Sequence, residues 1–267
     1  MFLFWYGRYM RWYVLMLVAV VFFGMGLSIS RIEEVYVPVN EFLDVSKKRI
    51  QVPIIKEKLL PDLLIYPPKE LFISRPAVGK KTIRFNTTVA NIGRGPFEVI
   101  GHTDKTTNTT YASQYIKNSD GTGSYKEIGQ FIFHDVHKHW HVEDYVQYQI
   151  WTLVGDNSRG EMLTRSDKMS FCLWDVRAND LTRENAPQTR EYTSVCSSRF
   201  QGISVGWEDT YLARVEGQEI DISSVTDGIY LLEYEVNPDR NVEESDYDNN
   251  SGGVKIEIAG NRIKIVE

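Results

Sequence analysis

Four of the chain's five histidines lie within eight residues, and three of them are spaced two residues apart. His137, His139 and His141 would project from one side of a β-strand, because successive side chains of a strand alternate between its faces. Three imidazoles on one face make a poor core and a good metal site, with room for a water as a further ligand. Nitrogen ligands suit copper, zinc, nickel or iron, so the spacing predicts a metal site and leaves the metal open.

The residues around this histidine run are those of a folded strand rather than a metal-binding tail. Trp140 lies inside the run, and large apolar residues recur from Val142 to Trp151. Gly155 then opens a polar turn. This pattern predicts a strand that carries the histidines and continues to about Val154.

The remainder of the chain also favours β structure. Fifteen tyrosines and many β-branched residues are typical of strands. Apolar residues alternate with polar ones over residues 83–89, 230–236 and 254–258, which is typical of strands. Residues 103–125 resemble a long loop or hairpin. Residues 176–200 are irregular, with room for one short helix. We therefore predict a mainly β fold, an antiparallel β-sandwich-like domain with long loops.

The net charge of −6 over 267 residues argues against a nucleic-acid partner, because phosphate contacts need a basic surface. An acidic surface attracts cationic substrates, although it also simply keeps a protein soluble.

The N-terminus predicts a membrane-spanning helix. Arg8 and Arg11 precede an uncharged, largely apolar run, Trp12–Ser30, which is close to the length that crosses a bilayer. The basic side stays in the cytoplasm, so the rest of the chain is expected outside it. Residues 1–30 are therefore interpreted as a signal anchor in the cell membrane, or as a signal peptide whose cleavage would release a secreted protein. Residues 31–60 would form a stem and residues 61–267 the functional domain.

The two cysteines, Cys172 and Cys196, are expected to pair in an oxidising exterior. The alternative is a pair of buried free thiols. A role as metal thiolates is disfavoured, because neither residue is near the histidine run in sequence.

A second cluster, Glu243–Asn250, packs carboxylates and amides into eight residues. Calcium takes six to eight such oxygen ligands, but the spacing is not that of an EF-hand loop. A solvated acidic turn before a strand is the other interpretation.

These residues together resemble the lysyl oxidase family. The segment His134–His141 has the H-x-x-H-x-H-x-H arrangement of the family's copper-binding stretch, and the resemblance covers about residues 61–258. Further segments match the family in order: Pro61-Asp62-Leu63, the early strand and turn Ile83–Gly93, the K-x-S-F-C-L segment Lys168–Leu173, the G-x-x-D-x-Y loop Gly206–Tyr211, and E-S-D-Y-x-N-N at Glu244–Asn250.

The resemblance implies a copper amine oxidase. His137, His139 and His141 would bind copper, with His134 beside them rather than among the ligands. Lys168 and Tyr211 match the lysine and tyrosine that form the family's built-in cofactor, lysyl tyrosylquinone. A primary amine, either a protein lysine or a small amine, would be oxidised to an aldehyde with release of ammonia and hydrogen peroxide. The base that removes the substrate's α-proton is left open among Asp209, Glu143 and Asp144.

The resemblance also gives the oxygen-rich cluster a meaning. The family binds calcium there, with help from the first residues of the domain. The corresponding ligands are Asp62, the Leu63 carbonyl, Glu244, Asp246, Asn249 and Asn250. Cys172 and Cys196 match one family disulfide, in a chain with far fewer cysteines than animal members have.

Two other functions compete with the oxidase. One is a non-catalytic extracytoplasmic domain that keeps the fold and binds copper. The other is a β-sandwich adhesion module whose histidines bind zinc.

Overall fold

The computed structural model describes residues 56–155 and 158–266, which belong to one compact unit, Ile54–Glu267. These residues form strands and turns without a helix, and every strand pair is antiparallel, which confirms the mainly β prediction. Accordingly, no helix able to cross a membrane is found among them. The predicted membrane-spanning helix and residues 31–55 of the predicted stem lie outside the described residues.

Seventeen strands occur along the described chain. They are β1 (Lys58–Leu59), β2 (Leu63–Ile65), β3 (Lys69–Ser74), β4 (Thr82–Asn91), β5 (Phe97–Asp104), β6 (Thr109–Asn118), β7 (Gly123–His134), β8 (His139–Val154), β9 (Ser158–Arg165), β10 (Met169–Phe171), β11 (Arg177–Ala178), β12 (Phe200–Ile203), β13 (Trp207–Tyr211), β14 (Glu219–Asp221), β15 (Gly228–Val236), β16 (Ser251–Ala259) and β17 (Arg262–Val266).

The strands form two sheets. The larger sheet has the order β12-β5-β6-β7-β8-β15-β16-β17, with β1 added to β6 and both β9 and β10 added to β8. The smaller sheet is built around β4, which pairs with β2, β3, β13 and β14, while β11 pairs with β13. Strands β8 and β4 are therefore the organising strands of the two sheets.

The hydrophobic core is built from residues of both sheets. Ile83, Phe85 and Val89 of β4 are fully or almost fully buried, as their alternation predicts. The ring of Phe85 packs against that of Tyr148 on β8 with 4.1 Å between centroids. Burying one such side chain contributes about 1.5–3 kcal/mol, so this contact helps to hold the sheets together. Alternate residues of β15, from Tyr230 to Val236, are buried in the same core.

The structure differs in detail from three local predictions. Residues 103–125, predicted as a long loop or hairpin, are not a loop: they contain all of β6, which forms hairpins with β5 and β7, as the second alternative predicts. This strand is hard to recognise because its buried positions include polar side chains such as Thr110, Gln114 and Asn118. Residues 176–200 hold no helix, only the short strand β11 and the first residue of β12. Strand β1, within the predicted stem, pairs with β6.

Cys172 and Cys196 form a disulfide with their Cα atoms 5.5 Å apart. The pairing prediction is confirmed, and the alternative of free thiols is wrong. The bond joins the chain just after β10 to the segment that leads into β12, which are 24 residues apart in sequence.

Candidate metal centre and cofactor residues

The histidines lie on the hairpin between β7 and β8. His134 ends β7 and pairs with His139, the first residue of β8, while Ile132 pairs with His141. His137 lies in the four-residue turn between the strands, next to Lys138, whose φ is 59°. The prediction that all three ligands share one strand face is therefore wrong for His137, which reaches the other two from the turn.

Three imidazole nitrogens nevertheless converge. Nδ1 of His137 lies 3.3 Å from Nε2 of His141, and Nε2 of His139 lies 3.0 Å from the same atom. The side chains thus present three donor atoms within 4.8 Å of one another. Nitrogens bound about 2 Å from one metal ion stand at similar separations. The donor set therefore fits a copper or zinc ion held by three neutral histidines.

Burial favours the neutral, metal-binding form of each ring. Desolvation lowers the pKa of His137 and His139, and it lowers the pKa of His141 to about 3, with the neighbouring histidines adding to the effect. Protons therefore compete poorly for these nitrogens at neutral pH.

Neighbouring groups hold the rings in place. Nδ1 of His141 lies 3.3 Å from the Ser170 hydroxyl on β10, which leaves Nε2 free to face the other donors. His134 stacks on His137 with 4.1 Å between centroids, and its Nδ1 accepts the His137 backbone N–H at 3.4 Å. His134 supports the cluster from one side. The role of Ser170 was not predicted from the sequence pattern.

The disulfide lies beside the histidine cluster. The cysteine sulfurs and a ring nitrogen of His139 are within 4.8 Å of one another. The Cys196 carbonyl accepts the backbone N–H of Trp140 at 3.0 Å, and Gln201 donates to the Trp140 carbonyl at 2.8 Å. The backbone between His139 and His141 is thus fixed by the segment that Cys196 anchors. Because the two sulfurs are bonded to each other, they are not thiolate ligands.

Tyr211 is the last residue of β13, and its hydroxyl group is held by the backbone of Cys172. It accepts the Cys172 N–H at 2.6 Å and donates to the Cys172 carbonyl at 2.9 Å. The ring packs edge-on against Phe171 with 4.2 Å between centroids. Burial and the nearby Asp209 carboxylate raise the pKa of the phenol, so it is a neutral donor in this environment.

Lys168 lies just before β10 and forms ion pairs with two aspartates. Its Nζ donates to the Asp239 carboxylate and lies 3.9 Å from that of Asp144. The hydrogen bond to Asp239, with the charge of Asp144, raises the pKa of the ammonium group. Both Lys168 and Tyr211 therefore have partners of their own.

Lys168 and Tyr211 both line a cleft of about 450 Å³. Its lining also includes Ser170, which contacts His141. The acidic turn residue Glu216 lines the same cleft. Residues distant in the sequence thus surround one space that opens beside the histidine cluster.

The three candidate bases have different environments. Asp209 is buried, its Oδ1 has no hydrogen-bond partner among the described residues, and burial raises its pKa. Burial also raises the pKa of Glu143, while Asp144 is exposed beside Lys168. None of the three is among the described residues that line the cleft.

The oxygen-rich cluster joins the two ends of the domain. Glu244 is buried and accepts the Leu63 N–H at 2.7 Å, and Asn249 donates to the Asp62 carboxylate at 2.6 Å. Burial raises the pKa of Glu244 to about 7. The Oδ1 atoms of Asn249 and Asn250 are buried without hydrogen-bond partners in the described part of the chain. Buried oxygens of this kind fit a hard cation.

Asp246 is the remaining predicted ligand of the oxygen-rich cluster. One of its carboxylate oxygens accepts the Asp248 N–H at 2.8 Å. Asp246 is exposed, whereas Glu244 and Asn250 are buried.

Comparisons with known proteins identify the family and several relatives of this chain. A family model described as lysyl oxidase matches residues 73–267. The human protein "Lysyl oxidase homolog 4" is 27% identical over 186 residues, which is 69% of this chain and 20% of that protein. "Lysyl oxidase homolog 2" of Xenopus laevis is 34% identical over 135 residues, 50% of this chain and 16% of that protein. "Protein-lysine 6-oxidase" of Rattus norvegicus is 34% identical over 128 residues, 48% of this chain and 28% of that protein. These alignments span well under two thirds of the relatives' own lengths.

Proposed function

Because this chain belongs to the lysyl oxidase family, we propose that it catalyses the copper-dependent oxidative deamination of primary amines. In this reaction a primary amine, dioxygen and water give an aldehyde, ammonia and hydrogen peroxide. The observation that carries the proposal is the convergence of the His137, His139 and His141 nitrogens beside the cleft that Lys168 and Tyr211 line. The substrate is a protein lysine or a small amine.

Copper is the metal that fits both the donor set and the family. His137, His139 and His141 would hold it through neutral imidazoles, and the Ser170 hydroxyl would keep His141 oriented. When bound, copper supplies the oxidising chemistry that converts a tyrosine ring to a quinone, and the lysyl tyrosylquinone accepts the electrons of the amine.

Lys168 and Tyr211 would form that quinone cofactor, and the surrounding residues act differently on the two. The Cys172 backbone fixes the Tyr211 hydroxyl group and so orients the ring. Asp239 holds Lys168 as an ammonium, so the lysine must leave Asp239 and lose a proton before its nitrogen can form a bond. The proposal therefore requires Lys168 to move from its ion pair toward Tyr211.

A calcium ion would have a structural role. The proposed ligands are Asp62, the Leu63 carbonyl, Glu244, Asp246, Asn249 and Asn250. The buried, unpartnered oxygens of Asn249 and Asn250 support this proposal. Because the two groups of ligands come from opposite ends of the domain, calcium would tie these ends together.

We also propose that the domain acts outside the cytoplasm, anchored to the cell membrane by residues 1–30 or secreted if that segment is cleaved. The disulfide supports this location, since disulfides form and persist in oxidising compartments.

A non-catalytic copper-binding domain is the second candidate. One observation favours it: Lys168 and Tyr211 are each bound to other groups, Lys168 to Asp239 and Tyr211 to Cys172. Such a protein would bind copper through the same histidines without forming the quinone.

The two candidates differ in turnover. The copper-loaded full-length chain should consume oxygen with n-butylamine and release equal amounts of hydrogen peroxide and ammonia. Tyr211→Phe keeps the ring's size, should retain copper and should abolish turnover. Copper binding without amine-dependent oxygen uptake in the wild-type chain would favour the non-catalytic candidate.

A further inference from the structure

The turn that follows Tyr211 has a fixed backbone. Arg84 donates to the Ala213 carbonyl at 2.7 Å and to the Val215 carbonyl at 2.5 Å. The Gln218 N–H donates to the Val215 carbonyl at 3.2 Å, and the Gln218 side chain is buried and accepts a hydrogen bond from Thr87 at 2.6 Å. Hydrogen bonds therefore hold the backbone on both sides of Glu216.

Gly217 allows the turn to close at this point. Its φ is +83°, a conformation that side-chain-bearing residues rarely adopt. The turn thus presents the exposed side chain of Glu216 on the lining of the cleft.

The Glu216 carboxylate differs from its acidic neighbours because it has no ion pair or side-chain hydrogen bond with any described residue. Glu219 is paired with Arg84 at 2.8 Å and lies 3.7 Å from Lys80. Asp221 accepts hydrogen bonds from Ser223. Asp167 also lacks an ion pair within the described ranges. Glu216 and Asp167 are thus the two carboxylates of the cleft that are left to meet a ligand.

Glu216 is the one of the two that lies on the fixed turn after Tyr211, whereas Asp167 directly precedes the cation Lys168. The cleft therefore has, in one lining, a carboxylate without an ion pair and the two candidate cofactor residues Lys168 and Tyr211.

We propose that Glu216 is the specificity residue that binds the ammonium group of an alkyl primary amine and directs it into the cleft. This inference rests on the proposed amine oxidase function. A primary alkylamine carries a proton at neutral pH, and an ammonium group makes its strongest hydrogen bonds with a carboxylate. Because the backbone around Glu216 is already fixed, only its side chain needs to be ordered when the amine binds.

The test measures binding in the absence of chemistry. The full-length chain, produced without copper so that no quinone forms, is titrated with n-butylammonium and, as a neutral comparison, with n-butanol. Ligand-observed NMR gives both dissociation constants. The wild-type chain should prefer the cation, and Glu216→Gln should weaken cation binding about tenfold or more without changing butanol binding.

Two variants make the test specific. Glu216→Asp keeps the charge and should recover part of the lost affinity. Asp167→Asn removes the other free carboxylate of the cleft and should stay within about twofold of the wild type. Equal effects of Glu216→Gln and Asp167→Asn, unchanged binding in Glu216→Gln, or a wild-type chain that does not prefer the cation would each overturn the assignment.

The copper-loaded chain provides the second measurement. Glu216→Gln should raise KM for n-butylamine about tenfold and leave kcat much less affected, whereas a loss confined to kcat would contradict a binding role. If the loaded wild-type chain has no turnover at all, the proposed function fails, and the copper-free titration still decides whether Glu216 binds the cation.

Discussion

Removing the disulfide between Cys172 and Cys196 should destabilise the domain and also loosen the candidate metal centre. The bond joins residues 24 apart and so closes a loop of about 25 residues. The loop-closure relation gives about 3.5 kcal/mol for such a loop. For a domain of this size, that loss corresponds to a midpoint of thermal unfolding about 7–14 °C lower. Because both side chains are buried, alanine is the suitable replacement.

The same change should affect the site through two backbone contacts. Cys172 holds the Tyr211 hydroxyl group, and Cys196 holds the N–H of Trp140 between two of the candidate ligands. We therefore expect the double alanine variant to bind copper less tightly and to modify Tyr211 more slowly than the wild type does.

The assay is thermal unfolding of the copper-free full-length chain, followed by tryptophan fluorescence with and without a thiol reductant. Reductant should lower the wild-type midpoint toward that of the double alanine variant and should leave the variant unchanged. Equal midpoints for the oxidised wild type and the variant would refute the reasoning, because the loop closed by the bond would then contribute nothing to stability.

Three further predictions concern the metals and a buried carboxylate. His139→Ala should abolish copper retention in equilibrium dialysis. The control, His102→Ala, changes the histidine outside the cluster and should retain copper. Equal copper retention by the two variants would contradict the ligand assignment. Calcium at about 100 times its dissociation constant should add about 2.7 kcal/mol to the free energy of unfolding, and Glu244→Ala should remove this gain; a chelator without effect on the midpoint would count against the site. The pKa of Asp209 is higher in the folded than in the unfolded chain, so protonation of this carboxyl stabilises the fold. The stabilisation is complete at low pH. It declines as pH rises above about 4, by about 1.4 kcal/mol per pH unit, until the folded pKa is reached. Asp209→Asn should therefore gain stability relative to the wild type as pH rises in urea titrations, and a constant difference would show that this carboxyl does not titrate differently on folding.

The sequence predicted the parts of the fold in which burial alternates along a strand. Residues 83–89 and 230–236 are examples, because each strand has one face in the core and its apolar residues therefore recur every second position. Strand β6 could not be distinguished from a loop for the corresponding reason: Thr110, Gln114 and Asn118 are buried through hydrogen bonds and pairing rather than by apolar character.

From residue spacing alone, the candidate site was predictable only where its residues are neighbours in sequence, whereas Lys168 and Tyr211 were named from the family resemblance. His139 and His141 followed from their spacing, but the turn that brings in His137 did not. Ser170, Asp239 and Glu216 approach the site from other strands and turns, and Asp239 is 71 residues from its partner Lys168. Such contacts depend on strand order and on the disulfide, which a local pattern does not encode.

Peptide-mapping mass spectrometry of the copper-loaded, aerated full-length chain tests the amine oxidase proposal most directly. The proposal predicts a cross-linked species that joins the Lys168 and Tyr211 peptides and is missing from a copper-free sample. Two separate, unmodified peptides in a fully copper-loaded sample would contradict it and would favour the non-catalytic copper-binding domain.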